Sequence, residues 1–108
     1  MERTRKEDTP CKVNLLTDIP TRDLFKQKGS EKEGMTMSAI LRRAIKQCIR
    51  GDLDITINKD IVINNDQPYR INLMVEEEDL EKFKEYCNKK GASMSLALRS
   101  YVDWYIAN

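Results

Sequence analysis

Two five-residue stretches hold the residue types best suited to chemistry. Lys12-Val-Asn-Leu-Leu16 and Arg70-Ile-Asn-Leu-Met74 each set a cation, an asparagine and a bulky apolar residue at alternate positions. Alternation of this kind predicts a strand with one face in the core and one in solvent. On the outer face, Lys12, Asn14 and Leu16, or Arg70, Asn72 and Met74, would present a cationic donor, an amide that both donates and accepts, and an apolar contact. That is the chemistry of recognising a row of hydrogen-bonding groups. Bond-making chemistry has little to stand on. The chain has no histidine and no glycine-rich phosphate loop, and the run Glu76-Glu77-Glu78-Asp79 reads as a helix start, so no enzyme is expected. Cys11, Cys48 and Cys87 lie 37 and 39 residues apart with no C-x-x-C pair. They read as three reduced thiols, and no metal or other cofactor is expected.

The chain has 108 residues, 34% of them charged and 40% hydrophobic, which suits one helix-rich domain. No apolar run approaches the length of a membrane span, and the start MERTRKEDTP lacks the apolar stretch of a signal peptide, so a cytoplasmic, non-membrane protein is expected. The net charge of +1 conceals an asymmetry. Residues 1–50 carry 12 Lys/Arg against 7 Asp/Glu, and residues 51–108 carry 7 against 11. The first half has the charge of a nucleic-acid binder; an ordinary mixed-charge surface accounts for it equally.

An internal repeat organises the rest. Shifted by 58, Lys12 to Thr17 lies on Arg70 to Val75, and Phe25-Lys26 on Phe83-Lys84. Shifted by 57, Gly34-Met-Thr-Met-Ser38 lies on Gly91-Ala-Ser-Met-Ser95, and Leu41, Arg42 and Ile49 match Leu98, Arg99 and Ile106. A one-residue length difference therefore falls between Lys26 and Gly34. Each unit reads as strand, helix, helix. After the second strand, acidic residues open a helix, Leu80, Phe83 and Cys87 share a stripe, and Gly91 stops it. Its counterpart is poorer: a short helix from about Thr21 to Lys28 is expected, then a GSEKEG loop. The last helix of each unit is the clearest, with Met37, Ile40, Leu41, Ala44, Ile45, Cys48 and Ile49 on one face and seven apolar or aromatic residues at the same places 57 residues on. Thr36 and Ser93 stand where N-caps belong and Gly51 where a C-cap belongs. Between the units, Ile55-Thr-Ile57 and Ile61-Val-Ile63 flank Asn58-Lys59-Asp60 and predict a β-hairpin; an extended linker along the surface is the alternative.

A lone strand with two helices cannot bury both its edge and its apolar face, so the two strands should pair with each other, antiparallel, in front of four helices. The expected fold is mainly α with a two-stranded antiparallel β-ribbon. It divides into a basic N-terminal arm (1–11), unit 1 (12–51), a linker (52–68) and unit 2 (69–108). In element order, spacing and strand alternation, with G-M-T-M-S and G-A-S-M-S leading into each second helix, the chain resembles the ribbon-helix-helix family of DNA-binding proteins, whose members include MetJ and Arc. Its tandem form is similar to the TraY-type relaxosome proteins of conjugative plasmids. The weak first helix departs from the family pattern.

The resemblance implies two ribbon-helix-helix units fused in one chain as an intramolecular pseudo-dimer that binds double-stranded DNA through the major groove. Base readers would be Lys12, Asn14, Leu16, Arg70, Asn72 and Met74: cations suit guanine, Asn suits adenine, and an apolar side chain suits a thymine methyl. Phosphate contacts would come from the helix starts at Thr36, Met37, Ser38, Ser93, Met94 and Ser95, and from Arg3, Arg5 and Lys6 in the arm. Arg42 and Arg99 read as solvated or ion-paired. Two roles fit, a transcriptional repressor and an origin-of-transfer accessory that engages a relaxase. Self-association on adjacent sites fits both. Leu16 and Met74 equally suit a protein contact. So does the stripe Leu96, Ser100, Trp104, unless the linker's isoleucines cover it. A protein-interaction module that keeps the fold without binding DNA is the competing reading.

Overall fold

The structure, a computed structural model, describes residues 10–108. Its elements run β1 (Pro10–Asp18), α1 (Ile19–Glu33), α2 (Met37–Arg50), β2 (Pro68–Glu76), α3 (Glu77–Lys89) and α4 (Met94–Ala107). The chain is thus mainly helical with a single two-stranded antiparallel sheet among the described residues, and the order strand–helix–helix occurs twice. β1 pairs with β2 in a register that sets Lys12 opposite Met74, Asn14 opposite Asn72, and Leu16 opposite Arg70. The strand begins inside the segment expected to be a free arm, because Pro10 and Cys11 find partners in Glu76 and Val75.

Strand alternation sorts the side chains as the pattern requires. Val13, Leu15, Thr17, Ile71, Leu73 and Val75 are buried on the inner face, against the helices. Phe25 of α1 and Phe83 of α3, matching positions of the repeat, have no exposed surface. Around them pack Ile40, Leu41, Ala44 and Ile45 of α2 and Ala97, Leu98, Tyr101 and Val102 of α4. The apolar stripes expected for the last helix of each unit are the faces that are buried.

Two expectations need correction. α1 does not stop near Lys28; it runs through Gly29-Ser30 to Glu33. Gly29 is buried, and a Cβ added there would lie 2.5 Å from Ile40 Cδ1, so this glycine lets α1 and α2 approach rather than breaking the helix. The stop is Gly34, in the left-handed conformation (φ 65°), whose N–H returns to the Gly29 and Ser30 carbonyls. The linker hairpin is also absent: no strand falls in residues 51–67. Its main-chain donors go instead to side chains of the body. Ile55 N–H donates to the Tyr86 hydroxyl (2.7 Å), Asn58 N–H to Ser100 Oγ (3.0 Å), and Asn64 N–H to Asp18 Oδ2 (2.9 Å). With those groups engaged and Ile55 buried, the segment lies along the body as a strap.

Asp18 also caps α1, accepting from Thr21 N–H (2.9 Å). Burial pushes its carboxyl up, but the Asn64 and Thr21 donors and nearby Arg99 outweigh that and hold it below its usual value. No described helix is long and apolar enough to cross a membrane.

Candidate nucleic-acid interface

The outer ribbon face is built by two hydrogen bonds as much as by alternation. Leu16 N–H donates to Ser95 Oγ at the start of α4 (3.2 Å), and Ser38 Oγ at the start of α2 donates to the Asn72 carbonyl (3.4 Å). Both main-chain groups therefore point out of the ribbon's edges. In an antiparallel ladder that is the mark of non-hydrogen-bonded pairs, whose side chains stand closest across the strands. By strict alternation, Lys12/Met74, Asn14/Asn72 and Leu16/Arg70 are all such pairs. Each second helix thus rests its first turn on the strand of the other half, and the two serines cover edges that would otherwise be open.

Lys12, Asn14, Arg70, Asn72 and Met74 are exposed on this face and Leu16 is half-buried. Two of the six are cations and none is acidic. Asn14 and Asn72 lie opposite each other at the centre. Arg70 Nη1 donates diagonally across the ribbon to Asn14 Oδ1 (3.1 Å). Residue types foretold the face, but this bond depends on register and no strand pattern reveals it.

The helix starts flank the ribbon. Thr36 Oγ1 accepts from Ala39 N–H (3.2 Å) and Ser93 Oγ from Leu96 N–H (3.1 Å), so both are caps, as their types imply. The N–H groups of Met37, Ser38, Met94 and Ser95 belong to first turns, which have no acceptor within the helix and attract anions. The Met37 and Met94 side chains are half-buried and pack against the core. Ser38 and Ser95 spend hydroxyl contacts on the ribbon edges, a role the sequence signalled only through their identity at matching repeat positions. Lys26, which the sequence marks only as a repeat position, lines a recess with Thr36, Met37 and Ser38 and adds a cation beside the α2 start. Arg3, Arg5 and Lys6 lie outside the described residues.

Arg99 is withdrawn from any surface role: it is 5% exposed, ion-paired to Asp103 (3.2 Å) and turned toward Thr21. Arg42 is half-buried beside Met74, Glu76 and Asp79. On α4, Ser100 is buried under Asn58 of the strap and Leu96 is half-buried, whereas Trp104 stays 52% exposed, stacked on Tyr101 at 5.7 Å. The strap therefore covers the middle of that stripe and leaves its tryptophan open.

Searches of protein-family models, curated proteins and solved structures find no match to this chain.

Proposed function

We propose that the chain is two ribbon-helix-helix units fused as an intramolecular pseudo-dimer, and that it binds a specific double-stranded DNA sequence by laying the outer face of β1 and β2 in the major groove. One observation carries this reading. The repeat offset of 58 makes Asn14 and Asn72 equivalent, and the register sets them opposite each other, at the centre of an exposed face whose six middle residues include two cations and no acid, with a helix start at each edge. A two-stranded ribbon fits the major groove, alternate side chains meet base edges, and first-turn N–H groups meet phosphates. The protein acts by binding, not catalysis, in the cytoplasm. Repression of transcription and service as an origin-of-transfer accessory that engages a relaxase both follow from such binding, with adjacent copies adding affinity.

The test is selection from a random pool of duplexes at near-physiological salt, with the Asn14→Ala/Asn72→Ala protein beside the parent. The parent should enrich a short motif, and the double variant should bind that motif on the order of 100-fold more weakly, from about 1–3 kcal/mol per lost base contact. Failure of the parent to enrich any motif sinks the proposal.

A protein-interaction module is the second reading. Trp104 (52% exposed) and Met74 (45% exposed) favour it. A duplex affinity that falls steeply with salt counts against it, because phosphate neutralisation releases counterions.

A further inference from the structure

Resting on the DNA-binding reading above, we infer that the two central asparagines do different work: Asn14 is a positioning residue that aims Arg70 at a guanine, Asn72 is the adenine reader, and the target site therefore has a fixed polarity.

Reading adenine with both hydrogen bonds takes the whole amide, its oxygen accepting from N6 and its nitrogen donating to N7. Asn14 has committed that oxygen. Its Oδ1 accepts from Arg70 Nη1 at 3.1 Å, which occupies one lone pair of that oxygen and ties the amide's orientation to the arginine instead of leaving it free to align on an adenine edge. Arg70 loses little by the bond, since a guanidinium carries five N–H donors and a bidentate contact to guanine O6 and N7 needs two. A long, exposed arginine is thereby held to one direction before DNA arrives, which lowers the ordering cost of the contact.

The other half of the ribbon has no such clamp. The residue equivalent to Arg70 is Lys12, and among the described residues no hydrogen bond joins it to Asn72. A lysine ammonium is a point donor without arginine's planar fork, so it holds a guanine with less directional selectivity. Only the main-chain carbonyl of Asn72 is engaged, by Ser38, so its side-chain amide keeps both donor and acceptor. One end of the ribbon thus presents an aimed arginine beside Leu16, and the other a lysine opposite Met74. A duplex bound in the reverse direction would set the lysine on the base pair that the arginine reads. The bound site is not a palindrome.

The experiment repeats the random-duplex selection with the parent and with N14A, N72A and R70A, after checking that all unfold at the same temperature. The parent should yield a motif without two-fold symmetry. R70A and N14A should both loosen the same guanine, each lowering discrimination there on the order of tenfold, and N72A should loosen an adenine elsewhere. A palindromic motif, or an N14A protein that loosens a second adenine in mirror relation to that of N72A, overturns the division of labour while leaving DNA binding intact. An absence of any motif for the parent overturns both.

Discussion

In the first half of the chain, α1 meets α2 through Gly29, where Ile40 fills the space a side chain would take. In the second half, the residue four past the matching phenylalanine is Cys87 and the counterpart of Ile40 is Ala97, both buried. Volume has moved from one helix to the other. The polar rims diverge further. Glu33 receives two hydrogen bonds from Arg43 (2.6 and 2.7 Å) and one from the Tyr105 hydroxyl, tying the end of α1 to α2 and α4. At the same repeat position stands Lys90, of opposite charge, which pairs with Asp54 of the strap. A shared apolar plan tolerates such exchanges because packing needs the right total volume, whereas each polar contact needs a particular partner.

The comparison breaks first at the phenylalanines. Phe25→Ala and Phe83→Ala should each cost about 3–5 kcal/mol in urea unfolding, a large share of a small domain's stability. Equal losses would support equivalent cores. Losses differing by more than about 1 kcal/mol would mean that one half dominates.

Gly29→Ala comes next. The added methyl must displace Ile40 Cδ1, and overpacking of this kind costs about 1–3 kcal/mol. Ile40→Val removes that atom, so the double variant should be more stable than the sum of the single effects predicts. Strict additivity in the cycle would show that α1 and α2 are not in tight contact there.

Glu33 supplies a smaller, pH-dependent effect. Arg43 and then Tyr105 lower its pKa from 4.5 to about 2. A depressed carboxylate stabilises the fold fully above its unfolded value and loses that contribution as pH falls through the folded one. Glu33→Gln should therefore lower stability by roughly 1 kcal/mol at pH 7, and the difference should shrink between pH 4.5 and pH 2. A difference that persists unchanged at the acid end would show that charge is not what the contact uses.

Least of all, Ser100→Ala takes from the strap the acceptor of Asn58 N–H. A loss of about 1 kcal/mol or less is expected, with faster amide exchange at Asn58. Unchanged exchange there would detach the strap from the account.

These contrasts also mark what the residues disclosed in advance. α2 and α4 were legible because their apolar stripes are wide and their caps, Thr36 and Ser93, are of the expected types. The full length of α1 is hidden in the sequence because Gly29-Ser30 resembles a stop, and only the approach of Ile40 from another helix reveals a packing site. Ile55 to Ile63 alternates as a hairpin does, but the hydroxyls of Tyr86 and Ser100 compete for its backbone from 31 and 42 residues away. The outer ribbon face could be foreseen residue by residue. The bond from Arg70 to Asn14 could not, since it exists only once the strands have settled into register.

The most direct test of the ribbon as the DNA-contacting surface is an NMR titration of the protein with a duplex selected from the random pool. The side-chain amide signals of Asn14 and Asn72 and the Arg70 Nε–H signal should move with added duplex, while the Trp104 indole N–H stays in place. Movement of the Trp104 indole with the two asparagines unmoved would contradict the account and turn attention to the open face of α4.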